Sequence, residues 1–366
     1  MKYILTILLL LLTGSAWSYT HVQIDTFTTL PYAIQSGDSI TIDGGDAGVT
    51  VESVSGAVLT ASGGVNGWII NLENDTLVFN TGGSNGVDGI YLDGLCYDGI
   101  ITSEGGGIRH GSTTADDCVM IKPIYCHDID ITSVHIQVEG DACMGIESGD
   151  SAGKFWNIRI YKVTIDNNTD NFNRFAKNAC SIRLTEAYAS DTTQSGFEYH
   201  ARIDTCTTTG PHNQLYLGAR SGEGCFIVEG DTLTVDGRNT AGSFANCYAI
   251  TLSHGAGAGS YNSEYIGNVV RSGSEYAGGR GMIIEYSTGP YDNRAVVRDN
   301  DFECHMGHDG EGPTVQVFRI RWGVKNWDIY DNSFVGRGDD DAGTDHIGNS
   351  VSTVRIQTAK EDAEGS

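Results

Sequence analysis

Proline and basic residues are scarce in this chain. Its 366 residues include 5 prolines, and 22 Lys and Arg stand against 47 Asp and Glu. The formal charge of −25 excludes a surface built to hold nucleic acid or anionic lipid, since it repels both. Apolar residues at helical spacing are almost missing, which argues against a helical bundle. None of the 9 cysteines forms a CxxC pair, so neither a zinc site nor a dithiol redox motif is indicated. Past the N-terminus no run is long and apolar enough to span a bilayer, which takes about twenty helical residues.

What is present in quantity is glycine, with 49 residues, and short β-prone runs that end in Gly, Asn or Asp. SITIDGG from Ser39, GVTVESVSG from Gly48, GWIINLEN from Gly67 and DTLVFNTGG from Asp75 are of this kind. The first residues differ: Lys2, an apolar run from Tyr3 to Leu12, then Ala16-Trp17-Ser18. That order predicts a signal peptide over residues 1–18, a mature chain from Tyr19, and a secreted, extracellular or periplasmic location with no membrane attachment after cleavage. Residues 359–366 read as a polar C-terminal tail.

From Asp98 onward the runs become repeats. HDIDITSVHI from His127, WNIRIYKVTI from Trp156, YHARIDTCTT from Tyr199, SEYIGNVV from Ser263, AVVRDNDF from Ala295 and WDIYDNSF from Trp327 align on alternate apolar residues. Asn268, Asn300 and Asn332 then fall in register 32 residues apart, with Val134 and Val163 at the same place earlier. A second set interleaves, with starts at Cys118, Cys143, Cys180, Cys247, Gly281 and Thr314 separated by 25, 37, 67, 34 and 33 residues. The gap of 67 reads as two coils, with CFIVEGDTLTVDG from Cys225 inside it. Two interleaved strand families with one coil length predict an all-β solenoid, a single right-handed parallel β-helix over residues 19–358. Asparagines at one inward turn position should ladder through their amides. Insertions at Asp166–Lys177, Thr185–Phe197, Gly210–Gly224 and Gly336–Ser350 are expected to wall a lateral groove.

The stretch TADDCVMIK, Thr114–Lys122, places two carboxylates at the turn into a strand, and no other repeat carries the pair. DDCVMIK resembles the Asp-Asp-Cys-strand segment of polygalacturonases, pectin-degrading glycoside hydrolases of the pectin-lyase-like β-helix superfamily. In that family a third aspartate stands one coil earlier in an Asn-Thr-Asp-Gly-Ile phrase. YDGII, with Asp98, Gly99 and Ile100, resembles it 18 residues before Asp116. Arg183 matches the arginine of the family's Arg-Ile-Lys phrase, while Thr185 stands at its lysine, and Gly140-Asp141-Ala142 replaces its Gly-His-Gly. The resemblance covers Asp98–Thr185 and implies a polysaccharide substrate.

Inverting glycoside hydrolysis needs an acid and a base carboxyl about 6.5–9.5 Å apart, and repulsion between neighbouring carboxylates keeps a proton on one of them. Asp116 is the expected acid, with Asp98 and Asp117 positioning water. Arg183, Lys122 and Asp141 are the expected substrate contacts, with Arg183 on a sugar carboxylate or hydroxyl. The plainer alternatives are aspartates that cap turn amides and a cross-strand pair between Lys122 and Glu147. A lyase using Lys or Arg as base, or a non-catalytic glycan-binding, surface or phage-type β-helix, fits the same scaffold. No cofactor is expected beyond Ca²⁺, for which Asp339–Asp341 with Asp345 are the available carboxylates. His305, His308, Asp309 and Glu311 define no known metal spacing, and Trp156, Trp322 and Trp327 could stack on sugars or cover a core edge. Cys118 and Cys126 allow either a disulfide or a ladder of buried thiols.

Overall fold

A computed structural model describes residues 19–25, 30–43, 49–52, 56–80, 87–110, 118–140, 144–148, 154–169, 180–188, 193–211, 213–221, 223–236, 248–253, 259–260, 262–273, 280–285, 295–305, 314–321, 327–337 and 350–357. The leader, Asp116, Asp117, Asp141, Cys143, Cys247, His308, Asp309, Glu311, Trp322, Asp339–Asp341, Asp345 and the tail lie outside these residues.

The described strands form three long sheets of 11, 10 and 11 strands, in which every pairing is parallel and follows the order of the coils. One coil runs Cys96–Thr102 in sheet 1, Gly107–His110 in sheet 2 and Val119–Pro123 in sheet 3, and Tyr125–Thr132 then returns to sheet 1. This is a right-handed parallel β-helix, as the repeats predict.

Alternation fixes the core. Ile40, Ile70, Ile101, Ile131, Ile160, Ile203, Val228, Tyr265 and Val297 stand side by side in sheet 1, and all are buried. Between them, residues such as Asp130, Arg159 and Arg202 point outward. Burying such a file of branched side chains contributes about 1.5–3 kcal/mol per residue before chain entropy is subtracted.

The corner from sheet 1 to sheet 2 takes two residues in seven successive coils. The first is left-handed: Ser133, Lys162, Thr205, Gly230, Gly267, Asp299 and Asp331 have φ between 53° and 69°. The second points inward and runs Val134, Val163, Cys206, Asp231, Asn268, Asn300, Asn332, so the chain changes from apolar to amide packing along its axis. The predicted ladder is present. Asn300 Oδ1 accepts the N–H (2.9 Å) and Nδ2 (2.8 Å) of Asn268, and Asn332 Oδ1 accepts the N–H (3.1 Å) and Nδ2 (2.8 Å) of Asn300.

One strand differs from the repeat reading. Cys225 opens a segment that supplies Phe226–Glu229 to sheet 1 and Thr232–Val235 to sheet 2. The sheet 3 strand of the long gap is Asn213–Ser221, within what reads as the insertion Gly210–Gly224. Its alternating Leu215-Tyr216-Leu217 lacks the small-residue lead of its neighbours, and the variable length ahead of sheet 3 hides its register. Similarly, Asp166–Thr169 and Thr185–Tyr188 continue strands rather than begin loops.

Cys118 and Cys126 are buried free thiols, and Cys126 lies beside Cys96 on the preceding rung. This is the ladder arrangement, not the disulfide.

Candidate functional site

In the sequence Asp117 is followed by Cys118 and the sheet 3 strand Val119–Pro123. One coil earlier the strand Val87–Leu92 lies alongside, and Asp88 is the side chain next to Val119. Asp88 Oδ1 accepts the Val119 N–H at 3.3 Å, and its Oδ2 accepts Lys122 Nζ at 3.1 Å. Asp88 is 8% exposed. Burial pushes its carboxyl above the ordinary aspartate range, although Lys122 and the Val119 amide pull the other way.

Further along the same face Glu147 Oε1 accepts Arg183 Nη1 at 2.8 Å, with both side chains largely buried. Lys122 and Glu147 stand on neighbouring rungs, yet each is paired elsewhere: Lys122 with Asp88, Glu147 with Arg183. The Lys122–Glu147 pair, the plainer alternative for these residues, is therefore replaced by two other pairs. Tyr91 stands in register with Lys122, and Tyr216 with Arg183, whose guanidinium lies 5.9 Å from the Tyr216 ring. Toward the C-terminus Arg280, Arg319 and Arg321 occupy the same face, beside Tyr248 and Gln316.

Asp98 does not belong to this face. It sits in sheet 1, where Asp98, Asp128 and Asn157 occupy one bend of three successive coils with φ of 51°, 52° and 52°. The residue before each bend is aromatic. Tyr97, His127 and Trp156 stack with ring centres 5.0 and 4.3 Å apart and nearly parallel planes. Trp156 is thus covered, and Trp327 packs against the core near Tyr265.

Beside the bends is an open groove of about 460 Å³, lined by Asp98, Gly99, Asp128, Asp130, Glu198 and Tyr199 among others. Its wall, Thr193–Tyr199, is held by Asn157: Nδ2 donates to the Gly196 carbonyl at 2.8 Å, and Oδ1 accepts the Glu198 N–H at 2.9 Å. Asn157 Nδ2 and His127 Nδ1 each lie 2.7 Å from an oxygen of Asp128. Burial, then Asp130 and Glu198, raise the Tyr199 hydroxyl.

The structure therefore brings Lys122 and Arg183 to the sheet 3 face, adds Asp88 and Glu147, and separates Asp98 onto another sheet. Asp88 carries the same letters as Asp98, Asp-Gly-Ile, and lies 31 residues before Val119. Eighteen residues, the distance from Asp98 to Asp116, is less than any coil spacing of the repeats, and that arithmetic favours Asp88. Among the described residues no group of three or more His, Cys, Asp or Glu side chains is arranged to hold a metal. His305 pairs with Glu303 at 3.3 Å.

No family model matches the chain, and no curated protein matches it. Among solved structures, the tailspike protein of E. coli bacteriophage HK620, a point mutant in complex with a pentasaccharide, matches with a TM-score of 0.45 and 11% identity. The match spans 90% of this chain and 59% of the tailspike chain.

Proposed function

We propose that this is a polysaccharide-active β-helix protein, a glycoside hydrolase that works on the outer face of sheet 3. The observation that carries the reading is Asp88, a desolvated carboxylate held by Lys122 on the rung next to the strand that Asp116 and Asp117 lead into. In this reading Asp88 takes the role expected of Asp98. Burial makes it a stronger base, and the Lys122 ammonium beside it opposes that shift by favouring the carboxylate. Asp88 and Asp117 activate water, Asp116 protonates the leaving oxygen, and the sugar inverts.

The substrate class is an anionic, uronate-containing glycan. Lys122, Arg183, Arg280, Arg319 and Arg321 lie on this one face, in a chain with only 22 Lys and Arg. Arg183, stiffened by Glu147 and set beside Tyr216, can offer guanidinium hydrogen bonds to a sugar carboxylate. Lyase chemistry is less well supported, because the two cations nearest the acidic turn are each paired, Lys122 with Asp88 and Arg183 with Glu147. A binding-only reading is favoured by one feature, the sheet 1 groove with its carboxylates and Tyr199, which offers acceptors to sugar hydroxyls.

The test is reducing-end release from uronate-containing and neutral polysaccharides by the wild type and by Asp88→Asn, Asp116→Asn and Asp98→Asn. Loss of activity in the first two, with retention in the third, is expected. A product absorbing in the ultraviolet identifies a lyase. Glycan binding without any product, abolished by Asp98→Asn, identifies the groove reading instead.

A further inference from the structure

The inward corner residue of seven successive coils includes one acid, Asp231, between Cys206 and Asn268. Its neighbours on the C-terminal side show what the position requires. Each asparagine gives Oδ1 to the N–H of the corner residue one coil earlier, and turns Nδ2 onto a backbone carbonyl. Asn268 Nδ2 donates to Val228 O at 3.0 Å, Asn300 to Tyr265 O at 2.8 Å and Asn332 to Val297 O at 2.8 Å. In every case the acceptor lies three residues before the corner residue of the preceding coil.

Asp231 reproduces half of this pattern. Its Oδ1 accepts the Cys206 N–H at 2.6 Å, and its own N–H donates to Asn268 Oδ1 at 2.9 Å. Its Oδ2 is buried with no hydrogen-bond partner, and the residue is fully buried. The carbonyl three residues before Cys206 is that of Ile203. A carboxylate cannot donate to it, and an ionised oxygen without a donor in such a place carries a heavy desolvation cost.

We propose that Asp231 is a neutral carboxylic acid in the folded protein, whose Oδ2–H stands in for an asparagine amide and donates to the Ile203 carbonyl. The corner is then a built-in pH-sensitive rung. It is complete when protonated, and it is broken when base removes the proton to solvent and leaves a buried carboxylate.

The charged groups that face the position reinforce this. Asp204 ends the sheet 1 strand one coil before and Glu229 ends the strand leading to Asp231 itself, and both are acids. The Cys206 thiol and the Asn268 amide face it from the adjoining corners. Those two acids share Arg202, which lies 2.7 Å from Glu229 and 3.6 Å from Asp204. Burial, ahead of the two acids, accordingly holds the Asp231 carboxyl well above its ordinary value.

The sign of the linkage follows. A group whose folded pKa is raised contributes fully below the unfolded value of about 3.9. Its contribution is lost as pH rises from there through the folded pKa, and the folding constant falls tenfold per pH unit across that interval. Asp231→Asn supplies a permanent donor of the same shape.

The experiment is urea unfolding of the wild type and Asp231→Asn from about pH 4 to about pH 8, paired with their infrared difference spectrum at neutral pH. The expected result is that the ratio of the two folding constants rises with pH in favour of the asparagine, and that the wild type alone shows a protonated-carboxyl stretch that shifts in heavy water. Parallel pH profiles, a variant less stable than the wild type at neutral pH, or an ionised-carboxylate signature would each overturn the proposal.

Discussion

Asn300→Ala isolates what the amide ladder contributes. Asn300 is 2% exposed, and its side chain makes four hydrogen bonds: two accepted from Asn268 and two donated, to Tyr265 O and Asn332 Oδ1. Alanine leaves the Asn268 N–H buried without this acceptor, a penalty of about 1–3 kcal/mol, and removes further bonds worth a net of about 1 kcal/mol. The expected loss is about 3 kcal/mol. At Asn332, on the last described coil and half-buried, water can replace the missing oxygen, so Asn332→Ala should cost about 1 kcal/mol. Urea unfolding followed by circular dichroism measures both. Amide hydrogen exchange of Asn268 gives a local readout, since its protection should fall in Asn300→Ala and survive in Asn332→Ala. Equal losses in the two variants, or an Asn268 amide still protected in Asn300→Ala, would refute the account of the ladder.

Other outcomes follow from single contacts. A Cβ on Gly99 would stand 2.1–2.5 Å from three atoms of the fully buried Trp68 ring, so Gly99→Ala should cost about 1–3 kcal/mol by overpacking and shift tryptophan fluorescence; an unchanged spectrum and melting temperature would contradict this. Arg183→Met leaves Glu147 without its 2.8 Å partner in a buried place and should destabilise by about 3–5 kcal/mol, most of which Glu147→Leu added to it should restore, as thermal melts would show. The seven described cysteines are buried free thiols, and burial pushes Cys225 up to about 12, as it does Cys304. Mass spectrometry should therefore find them unmodified by an alkylating reagent in native protein and modified in urea.

The fold was legible where the coil has constant length. The passage from sheet 1 to sheet 2 turns in two residues, so the phrases from His127, Trp156, Tyr199, Ser263, Ala295 and Trp327 align by eye and bring the asparagines into register. Sheet 3 is reached through segments of variable length, which is why Asn213–Ser221 passed for an insertion although Leu215 and Leu217 alternate as its neighbours do. The site suffered from the same variability. Asp88 and Asp98 share the letters Asp-Gly-Ile, but one lies in a strand beside Val119 and the other at a left-handed bend of another sheet. Letters alone do not distinguish these settings; counting a whole coil back from the acidic pair does. The partners chosen by Lys122 and Glu147 were not legible at all, because each has an opposite charge available on both sides and burial decides between them.

The two-residue corner also makes the molecule divisible. Residues 269–300 and 301–332 are consecutive segments of equal length, each ending on an asparagine whose side chain docks on the coil before it. A gene segment cut at these points could be duplicated or removed, and every junction would meet a left-handed residue followed by an amide, as it does now. Each copy would lengthen the rod by one strand spacing, about 4.8 Å, and would leave Asp88, Lys122 and Arg183 in place while changing the number of arginines further along the same face. Coil number would therefore set how far the row of cations runs beyond Arg183, without moving Asp88 or Lys122.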